Sequence, residues 1–194
     1  DALPISVFYK TWWFRLLLVG TLLALIYLLI RFREKNILKN ESEKTIEYFA
    51  NSFYGRNSVD EILWDVCRNC ISRLGFEDAV VYLLDEKRNM LVQKAAYGPK
   101  NPKDFEISHP LEIPVGKGIV GTVAQTGKPE IISDTLRDPR YIADDDCRMS
   151  ELSVPIVYEG KVIGVIDSEH SQRNFFTREH LRLLSTIASI CSTK

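Results

Sequence analysis

An uncharged apolar run near the N-terminus is the feature that most limits how this chain can fold. Residues 16–30 read LLLVGTLLALIYLLI, and with the four preceding residues they would form a helix about 28 Å long. That length matches the hydrocarbon core of a bilayer; a cleaved signal peptide or a buried soluble helix is the alternative. Paired tryptophans before the run and basic residues after it are typical of interfacial anchors. We therefore predict a transmembrane helix over residues 12–32.

Basic residues flank this helix unequally. Lys10 lies before it, and those that follow it are Arg31, Arg33, Lys35, Lys39 and Lys44. Because the flank richer in Lys and Arg stays inside, we expect residues 1–11 outside the cytoplasm and the rest of the chain within it. The expected location is the bacterial inner membrane, with one span and the lipid bilayer as its partner. The cysteines would then be reduced thiols.

The chain after the span divides into a linker and a domain. Residues 33–56 combine helix formers with spaced apolar positions, which predicts a signalling helix that pairs with its copy in a homodimer. Residues 57–194 are long enough to form one core. The formal net charge of the chain is -1, and its soluble part has no basic cluster, so we expect no nucleic acid partner.

The domain alternates helical and strand-like patterns. Ser58 is the predicted N-cap of one helix and Thr177 that of another. The predicted strands between them cover residues 78–84, 90–96, 111–115, 130–133, 152–158 and 162–168. Residues 159–161, Glu-Gly-Lys, predict a hairpin between the last two strands. This order predicts an α+β domain with a central antiparallel sheet flanked by helices.

A glycine motif, GKGIVG at residues 116–121, stands between the third and fourth strands. It fits the G-x-G-x-x-G template of a dinucleotide-binding turn, with Asp134 about where a ribose-binding carboxylate would stand. That fold needs a buried parallel strand before the motif and a long crossover helix after it. Here Pro114 interrupts the strand, and Gly-Lys-Pro at 127–129 closes the helix early. We expect the glycines to serve close backbone approach, with ligand contacts coming from the loop that follows.

Two segments carry a resemblance to a known family: IPVGKGIVGTVAQTGKPEIISDTLRDPRY and SELSVPIVYEGKVIGVIDSEHSQRNFFTREHLRLL. They contain, in order, a glycine turn, a short helix ending Ala-x-x-Thr-Gly-x-Pro, an Asp-x-Arg turn, a Val-Pro-Ile strand and a Gly-Val strand. This series resembles the GAF family and covers about residues 57–194. The resemblance implies a pocket between the sheet and the 134–151 region, where family members bind cyclic nucleotides, bilins, haem or small metabolites. Asp134 and Asp138 are expected to cap turns there, with Arg140 as a nearby partner.

The subfamilies of known chemistry match only in part. The Asn-Lys signature of the cyclic-nucleotide subfamily is missing, and Cys147 is followed by Arg148, not by the histidine usual beside a bilin-bound cysteine. YIADDDCRMSELSVPI is similar to the segment that carries the nucleophile of the free methionine sulfoxide reductases, but that cysteine falls on Asp144. The other family cysteines fall near Pro110 and on Val120. We therefore expect no catalysis within this chain; a divergent reductase using Cys147 is the alternative.

The same resemblance implies that pocket carboxylates remain. Glu151, Asp167 and Glu169 match carboxylates of the reductases and could receive the ammonium of an amino-acid-like ligand. The alternative is that Glu151 forms a local cap or salt bridge while the other two end a strand in solvent. The candidate ligand-binding residues are Tyr82, Tyr97, Tyr141, Asp144, Ser150, Glu151, Asp167 and Glu169.

Neither a metal nor a cofactor is expected. Cys67 and Cys70 form a C-x-x-C pattern inside a predicted amphipathic helix, with no second pair at zinc spacing. They are expected to be packing residues. The histidines, His109, His170 and His180, are isolated in the sequence and suggest no ligand set.

These observations together favour a sensory module. We expect a cytoplasmic domain that binds a small molecule or transmits a signal in a single-span bacterial receptor, with an output domain, of the histidine kinase type, beyond Lys194. Residues 1–14, DALPISVFYKTWWF, resemble the membrane-proximal end of propeller-type periplasmic sensors of two-component receptors. A dimerisation spacer without a ligand is a further alternative.

Overall fold

The computed structural model describes residues 12–52, 58–71, 74–100, 106–107, 110–142 and 148–192. The chain divides into two compact units, Asp1–Glu43 and Lys44–Lys194. Helix α1 covers Trp12–Ser52. Its segment Trp12–Arg33 is long and apolar enough to cross a membrane, although a signal sequence would meet the same criterion. The predicted span and linker boundaries therefore stay predictions.

Six antiparallel strands form the centre of the second unit. They are β1 Ala79–Asp85, β2 Met90–Tyr97, β3 Glu112–Pro114, β4 Glu130–Ile132, β5 Ser150–Tyr158 and β6 Lys161–His170. Their order across the sheet is β3-β2-β1-β6-β5-β4, so the first and last strands are central neighbours. Glu159 and Gly160, with φ of 49° and 79°, form the two-residue turn between β5 and β6. The predicted strands and the α+β class are confirmed.

Three shorter helices accompany the sheet. Helix α2 covers Val59–Asp65, α3 covers Gly118–Thr126 and α4 covers Arg178–Cys191. The Ser58 side chain accepts a hydrogen bond from the Glu61 N–H, and Thr177 caps α4 by accepting one from the His180 N–H. Both predicted N-caps are confirmed. The helix predicted to continue through Cys70 differs, because α2 widens into a π-helical segment at Val66–Ile71.

The two sheet faces carry separate clusters of buried side chains, because successive residues of a strand point to opposite faces. The helix-side cluster joins one face to α2 and α4; its members include Ile62, Leu63, Val66, Cys67, Phe76, Val81, Ala95, Ile156, Ile166, Leu184 and Ile187. The cavity-side cluster joins the other face to α3; its members are Val80, Tyr82, Leu91, Ala96, Val120, Val123, Ala124 and Val165.

The glycine motif forms the entry to α3, as predicted. A Cβ on Gly121 would lie 2.5 Å from the Pro114 carbonyl oxygen, so only glycine lets the helix approach the end of β3 this closely. Gly127 ends the helix in the left-handed conformation, with φ of 65°, and its N–H donates to the Val123 carbonyl. The nine-residue helix is too short for a dinucleotide crossover.

Candidate functional site

A small cavity of about 40 Å³ lies between the sheet and the start of α3. The sheet contributes Tyr82, Glu151, Asp167 and Glu169, all among the predicted ligand-binding residues. The remaining lining residues are Ile113, Lys117, Gly118, Ile119, Val120 and Ile142. A typical small-molecule pocket has about 300–1,000 Å³. The cavity therefore has room for about one water molecule in this conformation.

The three carboxylates of the cavity come from two neighbouring strands. Glu151 lies directly opposite Glu169 across the β5–β6 pairing, and Ser153 lies opposite Asp167. Since residues two apart share a face, all four side chains belong to the same face of the sheet. Like charges directly opposite each other in a sheet are destabilising, so these side chains need compensating partners.

Burial corrects one of our expectations. Glu151, Asp167 and Glu169 are each only 3% exposed, so the alternative that the two β6 carboxylates end a strand in solvent is wrong. The Ser153 hydroxyl donates a short hydrogen bond to Asp167 and lies 3.4 Å from Glu151 Oε1. Buried carboxylates require hydrogen bonds or countercharges, and a cationic ligand group is one source of both.

The opposite wall of the cavity is positive in character. Lys117 is the N-cap residue of α3, and its side chain makes no capping hydrogen bond. Gly121 is the first residue of this helix with an N–H bonded back to the Lys117 carbonyl. Because the N–H groups before it have no partner inside the helix, the start of α3 favours anionic groups. Residues 117–120 line the cavity, so the glycine segment itself forms part of the candidate site, which we had placed only in the following loop.

Three other predicted ligand residues lie away from the cavity. Tyr97 packs against the helix-side cluster, on the opposite face of the sheet from Tyr82. The Tyr141 hydroxyl accepts a hydrogen bond from the Arg148 N–H, and the Ser150 hydroxyl donates to the Gln172 carbonyl. None of these three side chains lines the cavity. Asp144 lies outside the described residues.

Behind the cavity lies a buried charged cluster that the sequence did not indicate. Asp78 is 1% and Arg148 is 8% exposed, and Arg148 Nε lies 3.7 Å from Asp78 Oδ2. Arg148 Nη1 donates to Glu77 Oε2 at 3.2 Å. His170 Nε2 lies 3.5 Å from Glu77 Oε1, and burial lowers the pKa of this histidine. These partners come from distant parts of the chain, so no local motif marks them.

Cys67 and Cys191 lie on the other side of the sheet, the first buried and the second half-buried. Cys67 belongs to the helix-side cluster, and Cys191 packs against it. Burial raises the pKa of both thiols, that of Cys191 to about 12, so neither is a ready nucleophile at neutral pH. Cys147 lies outside the described residues. Within the described ranges, no group of three or more His, Cys, Asp or Glu side chains is arranged to hold a metal ion.

Turn residues after β4 follow the expectation in part. Arg140 donates to both Asp138 and Glu130, and the Asp138 carboxylate also accepts the Arg140 N–H. These hydrogen bonds lower the pKa of Asp138. Asp134 differs from the expectation, because its side chain makes no capping hydrogen bond and pairs with Arg173.

The fold and the cavity define a class: α+β domains with a polar site between a central antiparallel sheet and a short helix. A family model described as GAF domain matches residues 56–193. The chain belongs to this family.

Relatives of known name include bacterial proteins and enzymes. The chain is 36% identical over 78 residues to Protein YtsP of Bacillus subtilis, with 40% of this chain and 48% of the relative covered. It is 35% identical over 79 residues to the free methionine-R-sulfoxide reductase of Saccharomyces cerevisiae, with 40% and 44% covered. The matches thus span less than half the length of these two relatives.

A solved structure extends the likeness in fold. The free methionine-R-sulfoxide reductase of Neisseria meningitidis, in complex with its substrate, superposes with a TM-score of 0.71 at 21% identity. The superposition covers 78% of this chain and 86% of that one. From the missing family cysteine we expected that the chain is not an enzyme, and this expectation is wrong. Reductases recur among its relatives in sequence and in fold, and they point toward enzyme activity.

Proposed function

We propose that the cavity binds a free amino acid of the methionine sulfoxide type and that the domain reduces it with a cysteine thiol. The observation that carries the proposal is the group of three buried carboxylates, Glu151, Asp167 and Glu169, on one wall of the cavity. These side chains gather several hydrogen-bond acceptor oxygens on one wall of the cavity. The ammonium group of an amino acid is a cation that also satisfies several acceptors at once.

The two walls together suit a zwitterion. The carboxylates would receive the ammonium, while Lys117 and the start of α3 would receive the carboxylate of the ligand. Tyr82, which is 1% exposed, and Ile142 would contact the side chain. Because the cavity has only about 40 Å³, an amino acid would enter only after lining side chains move. Ile142, which is 50% exposed, is an apolar lining residue with room to move outward.

Reduction needs a thiol, and Cys147 is the candidate. In sequence it directly precedes Arg148. A thiolate would attack the sulfoxide sulfur and accept its oxygen, giving methionine and a cysteine sulfenic acid. A first external thiol would convert the sulfenic acid to a mixed disulfide and water, and a second would regenerate the cysteine. Cys67 and Cys191 are poor candidates, because both belong to the helix-side packing and have raised pKa values.

The test combines binding with turnover. Isothermal titration calorimetry with L-methionine (R)-sulfoxide measures binding, and methionine formation in the presence of dithiothreitol measures reduction. We expect the wild type to do both and Cys147→Ser to bind but not reduce. Cys191→Ser is the matched control and should keep its activity. Binding without turnover in the wild type would refute the enzymatic half of the proposal, and absence of binding would refute both halves.

A second candidate function is signal transmission in a membrane receptor. The observation that favours it is α1, which runs from an apolar segment at Trp12–Arg33 without a break to Ser52. Such a helix, anchored in the bacterial inner membrane, would carry a change at the membrane to a cytoplasmic dimer of the domain and onward to an output domain of the kinase type. Native mass spectrometry of the chain in detergent would show a dimer if this is correct. A strictly monomeric chain at high concentration would contradict it.

A further inference from the structure

We propose that Asp78 is a positioning residue for the cavity: it holds Glu169 in place and is itself held by Arg148. The inference rests on the proposed ligand site, because Glu169 is one of the carboxylates that would receive the ligand ammonium. Neither Asp78 nor Arg148 lines the cavity. Asp78 acts through the backbone N–H of Glu169, and Arg148 acts through its charge beside Asp78.

The hydrogen bond between Glu169 and Asp78 takes the place of a backbone hydrogen bond between β6 and β1. The pairing between β1 and β6 extends only to Val80 and Asp167. Two residues further along β6, the Glu169 N–H would have no strand partner toward β1. It donates instead to Asp78 Oδ1 at 2.7 Å. The Ser168 hydroxyl donates to the Asp78 carbonyl at 2.6 Å, so two successive residues of β6 are fixed by one residue.

Alternation along the strand explains why this contact positions the carboxylate. Neighbouring backbone N–H groups lie in the plane of the sheet, while side chains point to its faces. Fixing the Glu169 N–H therefore fixes the direction in which its side chain enters the cavity. On its other side, Glu169 pairs with Glu151 on β5, whose side chain carries the same charge, so the bond to Asp78 is the contact that fixes the Glu169 backbone on the β1 side.

Arg148 orients the carboxylate that makes this contact. Its guanidinium lies 3.7 Å from Asp78 Oδ2, which leaves Oδ1 directed at Glu169. It also supplies a buried positive charge beside Asp78 and Glu77. A buried carboxylate without such a partner would be strongly unfavourable.

The test uses the 194-residue chain in detergent, four single variants and the double variant Asp78→Ala/Glu169→Gln. Asp78→Ala removes the acceptor, and Asp78→Asn keeps an acceptor oxygen while removing the charge. Glu169→Gln removes the proposed ligand contact. Asp85→Asn is the matched control, because Asp85 lies at the other end of β1 and pairs with the exposed Arg88.

The first measurement is the affinity for L-methionine (R)-sulfoxide. We expect Asp78→Ala to bind about tenfold more weakly, which corresponds to about 1.4 kcal/mol. We expect Asp78→Asn to recover most of this loss, and Asp85→Asn to bind like the wild type. In the Glu169→Gln background, Asp78→Ala should weaken binding by less than about twofold, because the carboxylate that Asp78 positions is already absent. An equal loss in both backgrounds would overturn the proposal.

The second measurement needs no ligand. Amide hydrogen exchange followed by NMR should show Glu169 exchanging about tenfold faster in Asp78→Ala, with Ile166 in the same strand unchanged as the internal reference. An unchanged Glu169 rate would overturn the proposal. If the wild type fails to bind methionine sulfoxide, the proposed function fails and this exchange ratio alone decides on Asp78. If Asp78→Ala does not fold, Asp78→Asn replaces it. The exchange rate of Glu169 relative to Ile166 should then rise by less than tenfold.

Discussion

Replacing Glu151 by Gln should make the empty domain more stable while it weakens ligand binding. Glu151 and Glu169 face each other directly across β5 and β6, and both are 3% exposed. Directly opposite residues have Cβ atoms about 5 Å apart. Two ionised carboxylates about 5 Å apart would repel by about 3 kcal/mol at an effective dielectric constant of about 20. Gln keeps a carbonyl oxygen near the Ser153 hydroxyl.

The expected gain is smaller than the full repulsion, because Gln also introduces an amide that needs a hydrogen-bond partner. We expect the free energy of unfolding at pH 7 to rise by about 1–2 kcal/mol after this cost of about 1–2 kcal/mol is subtracted. Urea unfolding followed by the fluorescence of Trp64, which is buried in the domain, measures it. The assay uses a background in which Trp12 and Trp13, the other tryptophans of the chain, are replaced by Phe.

A matched control separates this effect from a general loss of negative charge. Glu86→Gln removes an exposed carboxylate and should change stability by no more than about 0.5 kcal/mol. The gain from Glu151→Gln should persist at 1 M NaCl, because buried charges are screened little. Destabilisation by Glu151→Gln would refute the reasoning, since it would mean that the charged form is already compensated inside the empty domain.

Three further predictions concern the glycine turn, the cavity wall and the histidines. Gly121→Ala should lower the free energy of unfolding by about 1–3 kcal/mol in urea titrations, because the new Cβ would lie 2.5 Å from the Pro114 carbonyl oxygen; unchanged stability would mean that the turn yields easily. Ile142→Ala should widen the cavity mouth and raise the association rate for methionine sulfoxide in stopped-flow measurements. An unchanged rate would mean that the Ile142 side chain does not obstruct entry of the ligand. Burial lowers the pKa values of His170 and His180 in the folded domain. As the pH falls, the unfolded chain therefore binds protons before the folded domain does, and the free energy of unfolding should decrease below about pH 6.5. Thermal unfolding between pH 7.5 and 5.5 checks this, and replacing both histidines by Gln should flatten the profile.

Local sequence patterns were sufficient for the elements of the sheet and for the helix starts. Strand-like runs bounded by turn residues predicted the strands. Ser58 and Thr177 cap the helices because their side chains accept hydrogen bonds from nearby N–H groups. The glycine segment was also predictable, since Pro114 and Gly127 exclude a long crossover helix by local geometry alone.

Tyr97 was predicted to bind ligand, but an irregularity that the sequence does not reveal places it on the other face of the sheet. Regular alternation along β2 would place it on the same face as Leu91, which belongs to the cavity-side cluster. The pairing of β1 with β2 shifts register between Val81 and Tyr82. One extra residue in β2 turns Ala95 and Tyr97 toward the helix-side cluster. Strand patterns do not show where such a bulge falls.

The burial of the carboxylates also required the tertiary structure. Asp167 and Glu169 are near the end of a strand, where such residues are usually exposed. Here they are covered by the start of α3 and by Ile142, which come from earlier parts of the chain. The pair of Asp78 with Arg148 was missed for the same reason, because its members are joined only by the packing of distant segments.

The strand order has a consequence for how this domain is made. The centre of the sheet is the pairing of β1 with β6, which joins residues 80–83 to residues 164–167. During synthesis β1 and β2 leave the ribosome long before β6 exists, and until then one edge of β1 is an unpaired row of backbone groups. Contacts between residues so far apart in sequence slow folding, and exposed edges favour association with other chains. Nascent chains that stop before His170 should therefore depend on chaperones, and the domain should acquire protease resistance only after β6 has emerged.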